Sequence, residues 1–175
     1  MFHIVFYKTV KYKIIYIIFD ATRIEMKNLK EELFNKCKQI VASKLATITQ
    51  IIESNQNALQ SETKSSAGDK HETGRAMLQL EIEQTSQQFK SISEMNEILQ
   101  KINMGTNHTI AKLGSLIQTS LGTYFLAISV GKIEFSGKTY FVVSPSSPIG
   151  KLILGKSKGD TFQFNGNKIE VIEIG

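Results

Sequence analysis

Two apolar stripes with a seven-residue rhythm, on either side of a short polar stretch, constrain this chain more than any other feature. The first runs Val41, Leu45, Ile48, Ile52, Asn55, Leu59, at alternating spacings of four and three. The second runs Leu78, Ile82, Thr85, Phe89, Ile92, Asn96, Leu99 with the same alternation. Leu29, Leu33, Cys37 and Ile40 extend the first stripe upstream less regularly. That rhythm keeps one face of an α-helix apolar and turned toward a partner helix. Neither stretch contains proline, and Gln, Glu, Lys and Ser fill the remaining positions, as expected of solvated faces. Two such segments joined by a short connection fold back as an antiparallel coiled-coil helical hairpin, with its tip at residues 63–75. Each arm would be roughly 45–50 Å long at the α-helical rise. Asn55 and Asn96 in the seam would fix register rather than add stability.

The tip reads Ser65-Ser66-Ala67-Gly68-Asp69-Lys70-His71-Glu72-Thr73-Gly74-Arg75. Asp69 and Glu72 admit two readings. Asp69 can cap the second helix with Glu72 at its third position, an acidic relative of the capping box that also suits the helix dipole. Alternatively, the two carboxylates project from the end of a long arm. Carboxylate oxygens are hard ligands suited to Mg²⁺, which takes one or two of them from a protein. His71 is expected to be solvated, and Lys64, Lys70 and Arg75 to offset repulsion between the acids or to meet phosphate.

Met104-Gly105-Thr106-Asn107 ends the helical texture. Strand patterns follow at residues 115–119, 123–128, 132–135, 138–143, 161–164 and 168–174. Asn165-Gly166 signals a tight hairpin between the last two. Ser147, Pro148 and Gly155 supply the cap, first position and stop of a two-turn helix over residues 148–154. The expected class is α+β, with a five- or six-stranded antiparallel sheet packed on one short helix.

Charge is distributed unevenly. Residues 26–104 carry ten basic and ten acidic side chains, so the helical part is neutral, whereas residues 105–175 carry seven lysines and four acids. This excess permits contact with nucleic acid or an acidic partner without requiring it. Cys37 is the only cysteine, which excludes an internal disulfide and a thiolate zinc site and fits a reducing cytosol. Its place near the seam predicts burial rather than nucleophilic chemistry. Residues 1–25 differ in texture, and their uninterrupted apolar run Ile14-Ile15-Tyr16-Ile17-Ile18-Phe19 falls far short of a membrane span. Three readings stand: an added β-rich strand, a weak membrane anchor, or sequence upstream of a working start at Met26. The last is the expectation, giving an extension at 1–25, a hairpin at 26–104 and a second domain at 105–175.

Tip and tail together resemble the Gre family of bacterial transcript-cleavage factors. Gly68-Asp69-Lys70-His71-Glu72 is similar to the family's Gly-Asp-x-x-Glu. Ser147-Pro148-Ile149-Gly150-Lys151-Leu152-Ile153-Leu154-Gly155-Lys156, followed by Gly159-Asp160, is similar to its Ser-Pro signature, and Ile169-Glu170-Val171-Ile172-Glu173-Ile174 to its last strand. The resemblance implies a coiled coil followed by an FKBP-like domain. It further implies a cytoplasmic accessory factor, not itself an enzyme, that binds RNA polymerase and enters its secondary channel; a monomer is the expectation, although the sequence does not fix the oligomeric state. There Asp69 and Glu72 would help hold a Mg²⁺ shared with the polymerase, which cleaves the backtracked nascent RNA. Ser147, Pro148 and Ile149 would mark the surface by which the tail docks on the polymerase. One departure matters: the family usually has Asn-Ala-Glu-Tyr after the glutamate, and this chain has Thr73-Gly74-Arg75-Ala76. A channel-binding regulator without cleavage activity is the nearest alternative. An isomerase or chaperone built on the tail, and a structural dimer built on the coiled coil, are further ones.

Overall fold

The computed structural model describes the backbone of residues 2–64, 69–106 and 108–175, and the side chains of residues 23–61, 73–106 and 108–175. Two long helices come first, α1 at Phe2–Lys64 and α2 at Asp69–Gln100. Six strands and a short helix follow: β1 Leu116–Thr119, β2 Gly122–Leu126, β3 Gly131–Phe135, β4 Lys138–Val143, α3 Pro148–Ile153, β5 Thr161–Phe164 and β6 Asn167–Ile174. The class is α+β. The chain divides into two compact units, Lys36–Lys101 and the combination of Met1–Asn35 with Ile102–Gly175. The backbone is helical from Phe2 onward, so the β-strand reading of residues 1–25 does not hold. Among the described residues, no helix is long and apolar enough to cross a membrane.

Within the first unit α1 and α2 run antiparallel. Ser43, Ile48 and Ile51 of α1 share one groove with Met95, Ile92 and Gln88 of α2, so numbers rise along one helix as they fall along the other. The same register brings Ala58 beside Met77 and Glu81. Cys37, Val41, Ile48 and Leu99 are buried, and Leu45, Ile52, Leu59, Leu78, Ile82, Ile92 and Asn96 are half-buried. The seam therefore falls where the spacing places it, with one correction. Phe89 is 40% exposed, its ring being too large to sit wholly between two helices that pack so many medium side chains. Asn55 and Thr85 come to the same level and are both buried, making a polar layer in an apolar seam.

The second unit is built on a six-stranded sheet in the order β3-β4-β2-β1-β6-β5. Four of its pairings are antiparallel, but β2 and β4 run parallel, Thr123 opposite Tyr140 and Leu126 opposite Val143. The sheet is therefore mixed, not antiparallel as the texture suggested. The cause is local. After β2 the chain steps over one strand position, and the β3–β4 hairpin returns β4 into the gap. Ala127 N–H donates to Val143 O at 2.9 Å, which fixes that step. Two hairpins use left-handed backbone at both turn residues, Ser136-Gly137 and Asn165-Gly166, matching the strand twist.

Alternation divides the sheet's side chains between two faces. Ile117, Tyr124, Leu126, Phe162, Ile169 and Val171 pack with Ile149 and Ile153 of α3 in one core. Leu116, Phe125 and Val142 point to the other face and are fully buried as well. A register shift between Gln118 and Thr119 puts one extra residue into β6, so burial there falls on Val171 and then Ile174, leaving Ile172 outside.

Candidate functional site

The backbone of Asp69 and Glu72 forms the first turn of α2, at the turn end of the helix pair. Two residues three apart lie on one helix face. The side chains of Asp69, Lys70, His71 and Glu72 lie outside the described residues, as do residues 65–68 entirely. Neither the capping nor the metal-holding reading of the two acids is therefore tested by side-chain geometry. Immediately after them Thr73, Gly74 and Arg75 are exposed, and a Cβ added to Gly74 would meet nothing within 4 Å. Gly74 serves no close packing here, so its effect on the helix is purely conformational.

The Ser-Pro signature has clear structural employment. Ser147 Oγ accepts from Gly150 N at 3.1 Å and donates to Ser144 O at 2.7 Å, capping α3. Pro148 occupies the first helical position, where no N–H is needed. Ile149 is buried in the core. Of the three residues expected on a docking surface, Pro148 alone is exposed. Leu154 N–H donates to Gly150 O, and Gly155 follows in the left-handed region, closing the helix as its sequence requires.

Cys37 is fully buried, and burial pushes its thiol up to about 12, so it stays protonated and inert at neutral pH. The tail's aromatics are core material. Tyr124, Phe125, Tyr140 and Phe162 are buried, while Phe141 stacks on Tyr124 with ring centroids 5.3 Å apart. Among the described residues, no three His, Cys, Asp or Glu side chains gather where they could hold a metal.

One polar cluster lies outside every motif. His108 is buried, with Nδ1 2.7 Å from Ser115 Oγ and Nε2 2.8 Å from Thr106 Oγ1. Lys112 N–H donates to Ser115 Oγ at 3.1 Å, and the Thr106 hydroxyl donates to Asn103 O at 3.0 Å. Since Thr106 spends its proton on Asn103, it accepts from His108, and Nε2 carries the ring proton. Nδ1 then accepts from Ser115. This chain satisfies a neutral imidazole completely. Burial, and after it the charges of Lys30 and Lys112, hold His108 below the usual histidine range. Lys30 itself is only 4% exposed and donates from Nζ to Thr106 O at 3.2 Å. Burial, and then Lys112, lower its affinity for the proton. Separation in sequence hides the cluster, but one signal was present. Lys30 stands three residues before Leu33 and seven before Cys37, a lysine on the apolar face.

The sequence matches no protein-family model and no curated protein. Among solved structures, one described as the transcription factor Gfh1 is similar over 75% of this chain and 92% of its own, with 19% identity and a TM-score of 0.30. Values that low leave fold and function to be argued from this chain's own residues.

Proposed function

We propose that this chain is an accessory factor of RNA polymerase in the cytosol, acting as a monomer through the turn end of its helix pair to stimulate cleavage of backtracked nascent RNA. The observation that carries this reading is the start of α2 at Asp69, which sets the acids of the Gre-like Gly-Asp-x-x-Glu in one helical turn at the end of a long, electroneutral pair. The Ser-Pro signature, folded as a capped helix on a β domain, supports the same family reading from an independent part of the chain.

In this reading Asp69 and Glu72 would hold Mg²⁺ together with carboxylates of the polymerase. The ion would activate water and stabilise the charge of an in-line displacement at phosphorus. This chain's own part is to carry two hard oxygen donors to that position and keep them on one face. The polymerase performs the cleavage. A second reading rests on Thr73-Gly74-Arg75. An exposed cation and a flexible glycine directly after the acids favour a factor that occupies the channel without promoting cleavage.

Purified RNA polymerase stalled on a backtracked transcript tests both. Co-purification at physiological salt with cleavage above the polymerase's own rate supports the first reading. Binding without added cleavage supports the second. Absence of binding overturns both.

A further inference from the structure

A buried lysine without an acid calls for explanation. Charges taken out of water are ordinarily paired, since desolving one alone costs several kcal/mol. Lys30 is buried, and its ammonium reaches one backbone carbonyl, Thr106 O. Among the described residues, no carboxylate pairs with Lys30, Lys112 or His108. The groups felt at His108 are both cationic, Lys30 on α1 and Lys112 in the segment before β1. Thr106 and Lys112 are exposed, so solvent reaches the edge of the cluster at these two residues.

We propose that Lys30 and Lys112, with His108 beside them, form a binding site for a phosphate-type oxyanion. An oxyanion at this edge has the ammonium groups of Lys30 and Lys112 as charged donors, the Thr106 hydroxyl being already committed to Asn103 O. It supplies the missing counter-charge, and it also removes the penalty on protonating His108. An imidazolium there gains a second charged donor, whereas Ser115 Oγ, which accepts from Lys112 N–H, can turn its proton away and accept from Nδ1–H as well. The site belongs to the unit formed by Met1–Asn35 and Ile102–Gly175 and does not depend on the acids at the turn of the helix pair.

The test uses the full chain with inorganic phosphate, a nucleoside monophosphate, and sulfate, each against chloride at equal ionic strength. The readouts are the His108 ring resonances and thermal unfolding. Site binding predicts a saturable shift of the His108 signals and a saturable rise in Tm. Lys112→Gln, which alters an exposed side chain, should weaken that binding about tenfold or more, the worth of one charge-assisted hydrogen bond. Sulfate does not titrate near neutrality, so tighter sulfate binding as pH falls through the His108 titration isolates the imidazolium. If the nucleotide binds like free phosphate, the site reads the anion alone; tighter nucleotide binding assigns it to a phosphorylated ligand. A Tm rise that never saturates, or one unchanged in Lys112→Gln, is general salt stabilisation and overturns the proposal. So does a Lys30 amine found neutral at pH 7 with no response of His108 to any of the three anions.

Discussion

Gly150 and Ser144 approach so closely that a Cβ on Gly150 would stand 1.9 Å from the Ser144 carbonyl oxygen. The obstacle is backbone, held in place by hydrogen bonds from Ser147 N and Ser147 Oγ to that same oxygen. Glycine at this point of the Ser-Pro signature is therefore a packing requirement.

Gly150→Ala should destabilise the β-sheet unit by about 3 kcal/mol or more, because the added methyl cannot be relieved by a rotamer change. Ser147→Ala removes the cap and one of the two hydrogen bonds to Ser144 O, and should cost about 1–2 kcal/mol. Urea unfolding followed by a β-sheet signal distinguishes the two. Equal losses would mean that α3 is displaced as a whole by either change.

Loss of stability in mild acid should trace to His108. Its folded-state affinity for the proton is lowered, so the unfolded chain binds protons more readily than the native one. Where that holds, stability rises with pH. The contribution is complete above the ordinary imidazole value of about 6.5 and is lost as pH falls from there toward the folded value. In buffers free of oxyanions, the stability of the wild-type chain should fall over that window. His108→Gln, which keeps two polar positions without a titrating ring, should show a flatter dependence there.

The polar layer of the helix pair invites a stabilising change. Asn55 Nδ2 is buried and has no hydrogen-bond partner, while Thr85 Oγ1 turns to Glu81 O of its own helix at 2.7 Å. Replacing Asn55 by Leu removes an unpaired donor and extends the apolar seam. The helix pair should gain about 1–2 kcal/mol. The expected cost is register, because a continuous apolar seam pairs nearly as well when shifted or when joined to a second copy. Light scattering alongside urea unfolding checks both. A variant less stable than wild type would show that Asn55 is paired in solution.

Much of the architecture was legible because each signal was local. Asn165-Gly166 fixes its hairpin through two left-handed residues, and Ser147, Pro148 and Gly155 bound α3 through groups within one turn of each other. The heptad rhythm placed the seam from Val41 to Leu99 for the same reason. What escaped was non-local. The parallel pairing of β2 with β4 depends on which strand fills a gap, and alternation looks alike in either direction. The cluster of Lys30, His108 and Ser115 joins residues 78 positions apart through Thr106, without a spacing to betray it. For the acids at the turn, sequence offered a resemblance and a helix start, and the choice between cap and metal ligand passes to experiment.

That choice is open to a direct measurement. Asp69→Asn and Glu72→Gln keep side-chain size and much of the capping capacity while removing the charge. If the acids only cap, each change should cost at most about 1 kcal/mol of helix-pair stability and leave polymerase activity unaltered. If they hold Mg²⁺, the pair should stay folded and polymerase binding should survive, but cleavage of backtracked RNA should fall steeply. A neutral amide is a poor substitute for a carboxylate on a hard cation. Raising Mg²⁺ should then recover part of the loss, because the defect lies in occupancy of the ion rather than in binding of the factor. Cleavage by purified polymerase with each variant across a Mg²⁺ series supplies the comparison. Should the wild-type chain bind yet stimulate no cleavage at any Mg²⁺ concentration, Thr73-Gly74-Arg75 becomes the segment to exchange. Restoring Asn-Ala-Glu at those three positions should then switch cleavage on if this departure alone silences it, and failure of that exchange would leave a factor that acts by occupying the channel.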